Sequence, residues 1–204
     1  MRVVGFILGI SVDNNKVALV FGDVSGKGVS AALYMAKLMS DFRYVSLIET
    51  KSAEVMKTVN RILFERSRRG MFASAIYLLL DFSEKRLIFS NAGHMPILLQ
   101  KAGTHDVRRI MPSGPPLGNI RGQNFVSEEI EIGEGDKILL YTDGAIEPKN
   151  KGGEEFGLTR LEEAWRLNSK SPDALISDLI QDIRGFTGEV PPHDDLTFLA
   201  LHAL

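Results

Sequence analysis

The chain has no cysteine among its 204 residues. That excludes disulfides, thiolate nucleophiles and zinc–thiolate sites together. It also lacks long apolar runs. The longest are strand-sized, well short of the ~20 residues a membrane helix needs. A charge bias is missing as well: a net charge of −2 gives no global attraction for nucleic acid or an acidic membrane surface. No nucleic-acid or membrane partner is expected. Repeats, low-complexity tracts and linkers are absent. With 44% hydrophobic residues the chain can bury a full core, most simply as one domain over residues 1–204. Residues 1–10 are apolar but too few to span a bilayer, and Asp13, Asn14 and Asn15 follow where a signal peptide needs small residues. A soluble, cytoplasmic protein is expected.

What is present is organised around Phe21-Gly22-Asp23-Val24-Ser25-Gly26-Lys27-Gly28. An apolar run ends there in a carboxylate, and the glycines let main-chain groups approach a ligand. Leu139-Leu140-Tyr141-Thr142-Asp143-Gly144 has the same character. His193-Asp194-Asp195-Leu196-Thr197-Phe198 opens the last apolar run with a carboxylate pair.

Hydrophobic periodicity predicts strands over 3–12 and 16–21, joined by Asp13-Asn14-Asn15. A helix over 29–49 carries apolar residues at Val29, Leu33, Ala36, Met39 and Phe42. A second helix has Ser52 as N-cap, Val55, Met56, Val59, Ile62 and Leu63 on one face, and Gly70 as its end. Arg66, Arg68 and Arg69 in its last turn suit the helix dipole, or alternatively form a docking surface for an acidic or phosphorylated protein. Strands are predicted over 72–81, 86–90 and 96–100, with a loop at 113–118. Residues 125–132 alternate like a half-exposed strand, and a buried strand runs up to Asp143. Loop composition over 144–157 precedes helices at 158–167 and 172–186, the latter with Ser171 as N-cap and Pro172 at its first position. A final strand covers 196–201. This order implies an α+β fold of packed sheets with helices outside them.

Three strand ends carrying aspartate form an all-oxygen donor set that suits Mg²⁺ or Mn²⁺. Two such ions lower the pKa of a shared water and offset the charge of a phosphoryl group under attack. The glycines of 26–28 do not complete the phosphate-loop pattern Gly-x4-Gly-Lys-Ser/Thr, which argues against nucleotide binding. His94 reads as a turn-fixing hydrogen bonder, since a hard-oxygen site needs no imidazole. His193 reads as a loop residue beside the metal aspartates, and His105 and His202 carry no signal. Trp165 lies at core spacing with Leu158 and Leu161.

Gly22-Asp23-Val24-Ser25-Gly26-Lys27-Gly28 followed by Ala31-Ala32-Leu33 resembles the SpoIIE/RsbU branch of the bacterial metal-dependent type 2C (PPM) serine/threonine protein phosphatases. The resemblance continues in order through Met71-Phe72-Ala73, Asn91-Ala92-Gly93-His94-Met95-Pro96 and Gly114-Pro115-Pro116-Leu117-Gly118. It ends with Tyr141-Thr142-Asp143-Gly144, Phe156-Gly157 and Asp194-Asp195-Leu196-Thr197. It implies a four-layer α-β-β-α sandwich, two mainly antiparallel sheets flanked by helix pairs, with a two-metal site. By the same resemblance Asp23 bridges the metals, Val24 offers its backbone carbonyl, Asp143 and Asp194 complete the first metal's shell, and Asp195 supports them. Hydrolysis is then by metal-activated water without a phosphoenzyme. The implied substrate is a phosphoserine or phosphothreonine on a STAS-domain regulator in partner-switching control of sigma factors.

One position departs from the branch, and one from the animal type 2C enzymes. The acid of the branch's Gly-Gly-Asp block falls on Gly5, which weakens the second metal. Ser25 stands where animal enzymes place a histidine general acid, as is usual for this branch. Two alternatives follow, a catalytically weak regulatory module with this fold and a small-molecule phosphoesterase. Relatives often carry an upstream sensor and are controlled through the first helix pair. A chain opening at the first strand is thus a stand-alone enzyme or a fragment, with a homodimer through that pair as a further expectation.

Overall fold

Asp13 closes the first hairpin by accepting the Asn15 N–H at 2.8 Å, an Asx turn that brings two apolar runs side by side. In this computed structural model, which describes residues 4–66, 70–167, 172–191 and 194–204, those runs are β1 (Val4–Ser11) and β2 (Lys16–Val24). Then come α1 (Gly28–Val45), α2 (Ser52–Arg66), β3 (Ala73–Asp81), β4 (Arg86–Ala92), β5 (Ile97–Gln100), β6 (Val107–Ile110), β7 (Glu128–Glu131) and β8 (Lys137–Tyr141). A 3-10 turn (Asp143–Ala145), α3 (Gly157–Leu167), α4 (Pro172–Thr187) and β9 (Phe198–His202) complete the order.

The chain divides into two compact units, one from the residues up to His94 with Met111–Ile132, the other from Met95–Ile110 with Gly133–Leu204. In the first, β1-β2-β3-β4-β7 form an antiparallel sheet. One face of that sheet, with Phe6, Leu8, Val20, Val24, Ala75 and Tyr77, packs with Leu38 and Phe42 of α1 and Val55, Met56 and Val59 of α2. Burying a side chain of this size is worth about 1.5–3 kcal/mol, so this contact holds the pair on the sheet. Asp41 of α1 pairs with Lys37 of its own helix and joins the helices by an ion pair to Arg66 of α2 at 3.5 Å.

The helix faces correct two expectations. Val29, Leu33 and Ala36 are exposed, and α1 buries Ala31, Leu38, Phe42 and Val45 instead. The helix is apolar on two sides, and only the second stripe meets the sheet. Lys51, not Ser52, caps α2: its carbonyl accepts the first helical bond from Val55 N–H at 3.0 Å. The Ser52 hydroxyl bonds that of Ser127 instead. The α2 stripe is as read from sequence, with Val55, Met56, Val59 and Leu63 buried.

In the second unit β6-β5-β8-β9 make an antiparallel sheet. Leu98, Leu139 and Tyr141 pack with Leu161 and Trp165 of α3 and Leu175, Leu179 and Ile183 of α4, so Trp165 is core. The sequence pattern missed β6, whose Arg108 and Arg109 interrupt the apolar signal. Arg109 is held there by an ion pair with Glu162 of α3. Of residues 125–132, Glu128–Glu131 form the strand, against Arg86–Phe89, and Ile132 N–H extends the pairing to the Lys85 carbonyl at 2.8 Å. Ser171, Arg68, Arg69 and His193 lie outside the described residues. No described helix is long and apolar enough to cross a membrane.

Candidate functional site

In the first unit β2 carries Asp23 and Val24 at its end. Asp23 is 8% exposed and sits between Gly5 of β1 and Ser74 of β3 in the strand register. Directly opposed residues share a sheet face, so Gly5, Asp23 and Ser74 form one row. Gly22, one residue earlier, points to the helix side, where an added Cβ would meet the Ser74 carbonyl oxygen at 2.4 Å. Only glycine lets β2 and β3 come this close beside the carboxylate.

After Val24 the chain turns sharply. Ser25 N–H donates to the Phe72 carbonyl at 2.9 Å, and Phe72 N–H donates to Ser25 Oγ at 2.9 Å. This reciprocal pair fixes the Asp23 end of β2 to the segment before β3. Gly26 follows with φ of 107°, a backbone conformation that favours glycine. Lys27 is exposed and precedes α1 in extended conformation. Tyr34 of α1 donates to the Met71 carbonyl at 3.3 Å, and burial, then Asp41's charge, pushes its phenol up to about 12.

The Asn91–His94 turn lies on the same sheet face. Asn91 Oδ1 accepts the His94 N–H at 2.9 Å. His94 is 3% exposed, and its ring places Nδ1 2.7 Å from Ser74 Oγ and meets Phe21 in a T-shaped contact, centroids 5.3 Å apart. His94 thus fixes its turn by hydrogen bonding. The sequence reading missed Ser74, whose signal was its register position opposite Asp23.

In the second unit β8 delivers Asp143, and the approach to β9 delivers Asp194. Three bonds join the segments: Thr142 N–H donates to Thr197 O at 3.2 Å, Thr142 Oγ1 donates to Asp195 O at 3.1 Å, and Thr197 N–H donates to Thr142 Oγ1 at 3.1 Å. Gly144 permits the approach, because a Cβ there would lie 2.2 Å from the Asp195 carbonyl oxygen. Asp143 Oδ1 accepts its neighbour's N–H from Gly144 at 2.9 Å, and Asp194 Oδ1 accepts that of Asp195 at 2.9 Å. Burial, then the charge of Asp194, raises the Asp143 carboxyl above its ordinary value. The structure therefore brings Asp143 and Asp194 within electrostatic reach. Asp195 is exposed and contributes its backbone to the junction.

A pair of carboxylates that repel each other, with oxygen-only donors, has the chemistry of a hard divalent cation site. Asp23 and the Val24 carbonyl are donors of the same kind in the first unit.

This chain is 31% identical to phosphoserine phosphatase RsbP of Bacillus subtilis, over 84% of this chain and 41% of the relative. It is 26% identical to phosphoserine phosphatase RsbU of the same organism, over 93% of this chain and 56% of the relative. Among solved structures, the RsbU and RsbW domains of Rv1364c from Mycobacterium tuberculosis share its fold with a TM-score of 0.77 and 28% identity, covering 97% of this chain and 54% of that one. The fold is accordingly the α+β fold of the type 2C phosphatase domains. The chain spans 34–56% of the length of the curated relatives it matches. The family model for stage II sporulation protein E (SpoIIE) matches residues 13–204, so the chain belongs to the SpoIIE family.

Proposed function

We propose that this chain is a divalent-metal-dependent protein phosphatase that hydrolyses phosphoserine or phosphothreonine on a STAS-domain regulator of sigma-factor control, in the cytoplasm. Residues 1–204 act as its single phosphatase domain. The observation that carries the reading is the Asp143–Asp194 pair at the Thr142–Thr197 junction, in a chain of the SpoIIE family. The residues that would hold Mn²⁺ or Mg²⁺ are Asp23, Asp143 and Asp194, with the Val24 carbonyl. When bound, such ions lower the pKa of water and offset phosphoryl charge. The chain's own part is positioning. The Gly144 and Asp195 amides orient one oxygen of each second-unit carboxylate. The Ser25–Phe72 pair fixes the backbone that follows Asp23 and Val24.

Phosphate release from a phosphorylated STAS-domain protein, with Mn²⁺, with Mg²⁺ and with chelator, tests the reading. Turnover that requires metal and is lost in Asp143→Asn is expected. A folded, metal-supplied wild type without turnover sinks it.

A second reading is favoured by Gly5, the residue opposite Asp23, which brings no carboxylate to the row. It makes the chain a weakly catalytic regulatory module, and binding of the phosphoprotein without turnover would support it. The exposed apolar residues Val29, Leu33 and Tyr44 of α1, with Leu47 and Ile48 after it, support a homodimer through the first helix pair. Sedimentation of Leu33→Glu and Leu47→Glu tests that interface, which an unchanged mass would remove.

A further inference from the structure

The functional reading leaves unused the polar pair on the Asp23 face of the first sheet, Ser74 and His94. Asp23 and Ser74 are direct cross-strand partners, a placement that sets Cβ atoms about 4.5–5.5 Å apart. His94 reaches the same face by a built turn. Asn91 accepts its N–H, and Gly93 sits at φ of 65°, with Pro116 only 2.6 Å from where a Cβ would be. Phe21, two residues before Asp23 and therefore on its face, packs against the imidazole in a T-shaped contact. The imidazole is oriented by three neighbours and spends Nδ1 on Ser74.

We propose that Ser74 and His94 form a positioning pair for the Asp23 carboxylate. With the ring proton on Nδ1, His94 donates to Ser74 Oγ and leaves the serine hydroxyl proton for an acceptor on the same face. Asp23 is the carboxylate next along that row. A hydroxyl donor beside a metal-binding carboxylate holds it in one rotamer, and losing such support typically weakens metal binding by ~10–100-fold. The pair matters more here than in a chain with an acid at Gly5, because Asp23 is the row's one carboxylate. Neither residue touches the reacting atoms.

The inference rests on the metal reading above, and calorimetric titration of the intact chain with Mn²⁺ keeps the two separable. The variants are Ser74→Ala, His94→Leu, His94→Asn and Asp23→Asn, each checked by thermal unfolding in chelator. Ser74→Ala and His94→Leu should each weaken Mn²⁺ about tenfold or more, and His94→Asn, whose amide replaces Nδ1, should recover most of the loss. A solely structural role for His94 would lower the unfolding temperature and leave Mn²⁺ affinity unmoved. If Ser74→Ala folds and binds Mn²⁺ as the wild type does, the proposal is overturned whatever His94→Leu does. A wild type that binds no Mn²⁺ defeats the metal reading and this inference with it, whereas wild-type binding lost in Asp23→Asn but kept in Ser74→Ala defeats the inference alone.

Discussion

Gly5 lies directly opposite Asp23 across the β1–β2 ladder. By the sequence resemblance, an acid is the residue expected at that position. A carboxylate placed on Gly5 would share the sheet face of Asp23. Gly5→Asp is therefore expected to raise Mn²⁺ affinity or stoichiometry in calorimetry. Without metal, two like charges directly opposed destabilise a sheet by about 0.2–1 kcal/mol. The variant should thus unfold earlier than wild type in chelator and gain more from Mn²⁺. An Mn²⁺ gain no larger than the wild type's would show that the row is not a cation site.

Gly144 fits because it has no side chain. A Cβ there would stand 2.2 Å from the Asp195 carbonyl oxygen and 2.9 Å from its carbon, and backbone cannot yield as a side-chain tip can. Gly144→Ala is expected to cost about 1–3 kcal/mol in chemical denaturation. It should also weaken metal binding by separating Asp143 from Asp194. Gly153→Ala, also in the second unit, meets nothing within 4 Å. Any loss there is backbone strain from its φ of 80°, which Gly144, without a positive φ, does not share.

Much of this arrangement was legible because strand ends announce themselves. Apolar runs closing in Asp23 and Asp143, and one opening after Asp194, placed the carboxylates at the margins of the sheets, where β2, β8 and β9 put them. Pairing was less legible. Ser74 is one serine in a strand of apolar residues, and only the β2–β3 register sets it beside Asp23. The α1 face was misread because Val29, Leu33 and Ala36 have helical spacing as good as that of Ala31, Leu38 and Val45. Periodicity finds a stripe but cannot choose between two. β6 was missed because Arg108 and Arg109, adjacent and so on opposite sheet faces, break the apolar alternation; Arg109 shares the face of Leu98 and Leu139 and reaches Glu162 of α3.

Asp143 supplies a pH test without phosphorylated substrate. Burial and the Asp194 charge raise its carboxyl in the folded state, so the native protein holds that proton more tightly than the unfolded chain. Stability is then lost as pH rises from the unfolded carboxylate value of about 3.9 through the raised native value. In metal-free protein at pH 7 the ionised Asp143 is a liability. Asp143→Asn keeps an oxygen for the Gly144 amide and removes the charge. It is expected to melt later than wild type in chelator at pH 7, with the difference vanishing below pH ~4. Mn²⁺ should reverse the order by stabilising the wild type more. A lower melting temperature for the variant at pH 7 in chelator would contradict the electrostatic account.

Asp136 carries the opposite sign. Burial pushes its carboxyl up, but Lys101 Nζ at 2.7 Å and the Gly133 and Ala102 amides, each at 2.9 Å, outweigh burial and hold it below the ordinary range. A depressed native value means that the unfolded chain binds the proton more tightly. The resulting stability is fully present above the unfolded value of about 3.9 and is lost as pH falls through the native one. Asp136 closes the turn that enters β8, at the opposite end of that short strand from Asp143. Asp136→Asn retains one acceptor oxygen where three donors converge. It should cost about 1.5–3 kcal/mol at pH 7 in urea denaturation, the range for hydrogen bonds to a charged group. The cost should shrink as wild type is titrated below pH ~4, because protonated Asp136 then loses the same advantage. A pH-independent difference would assign the cost to packing, and an unchanged pH 7 midpoint would show that the three donors find water as readily as the carboxylate.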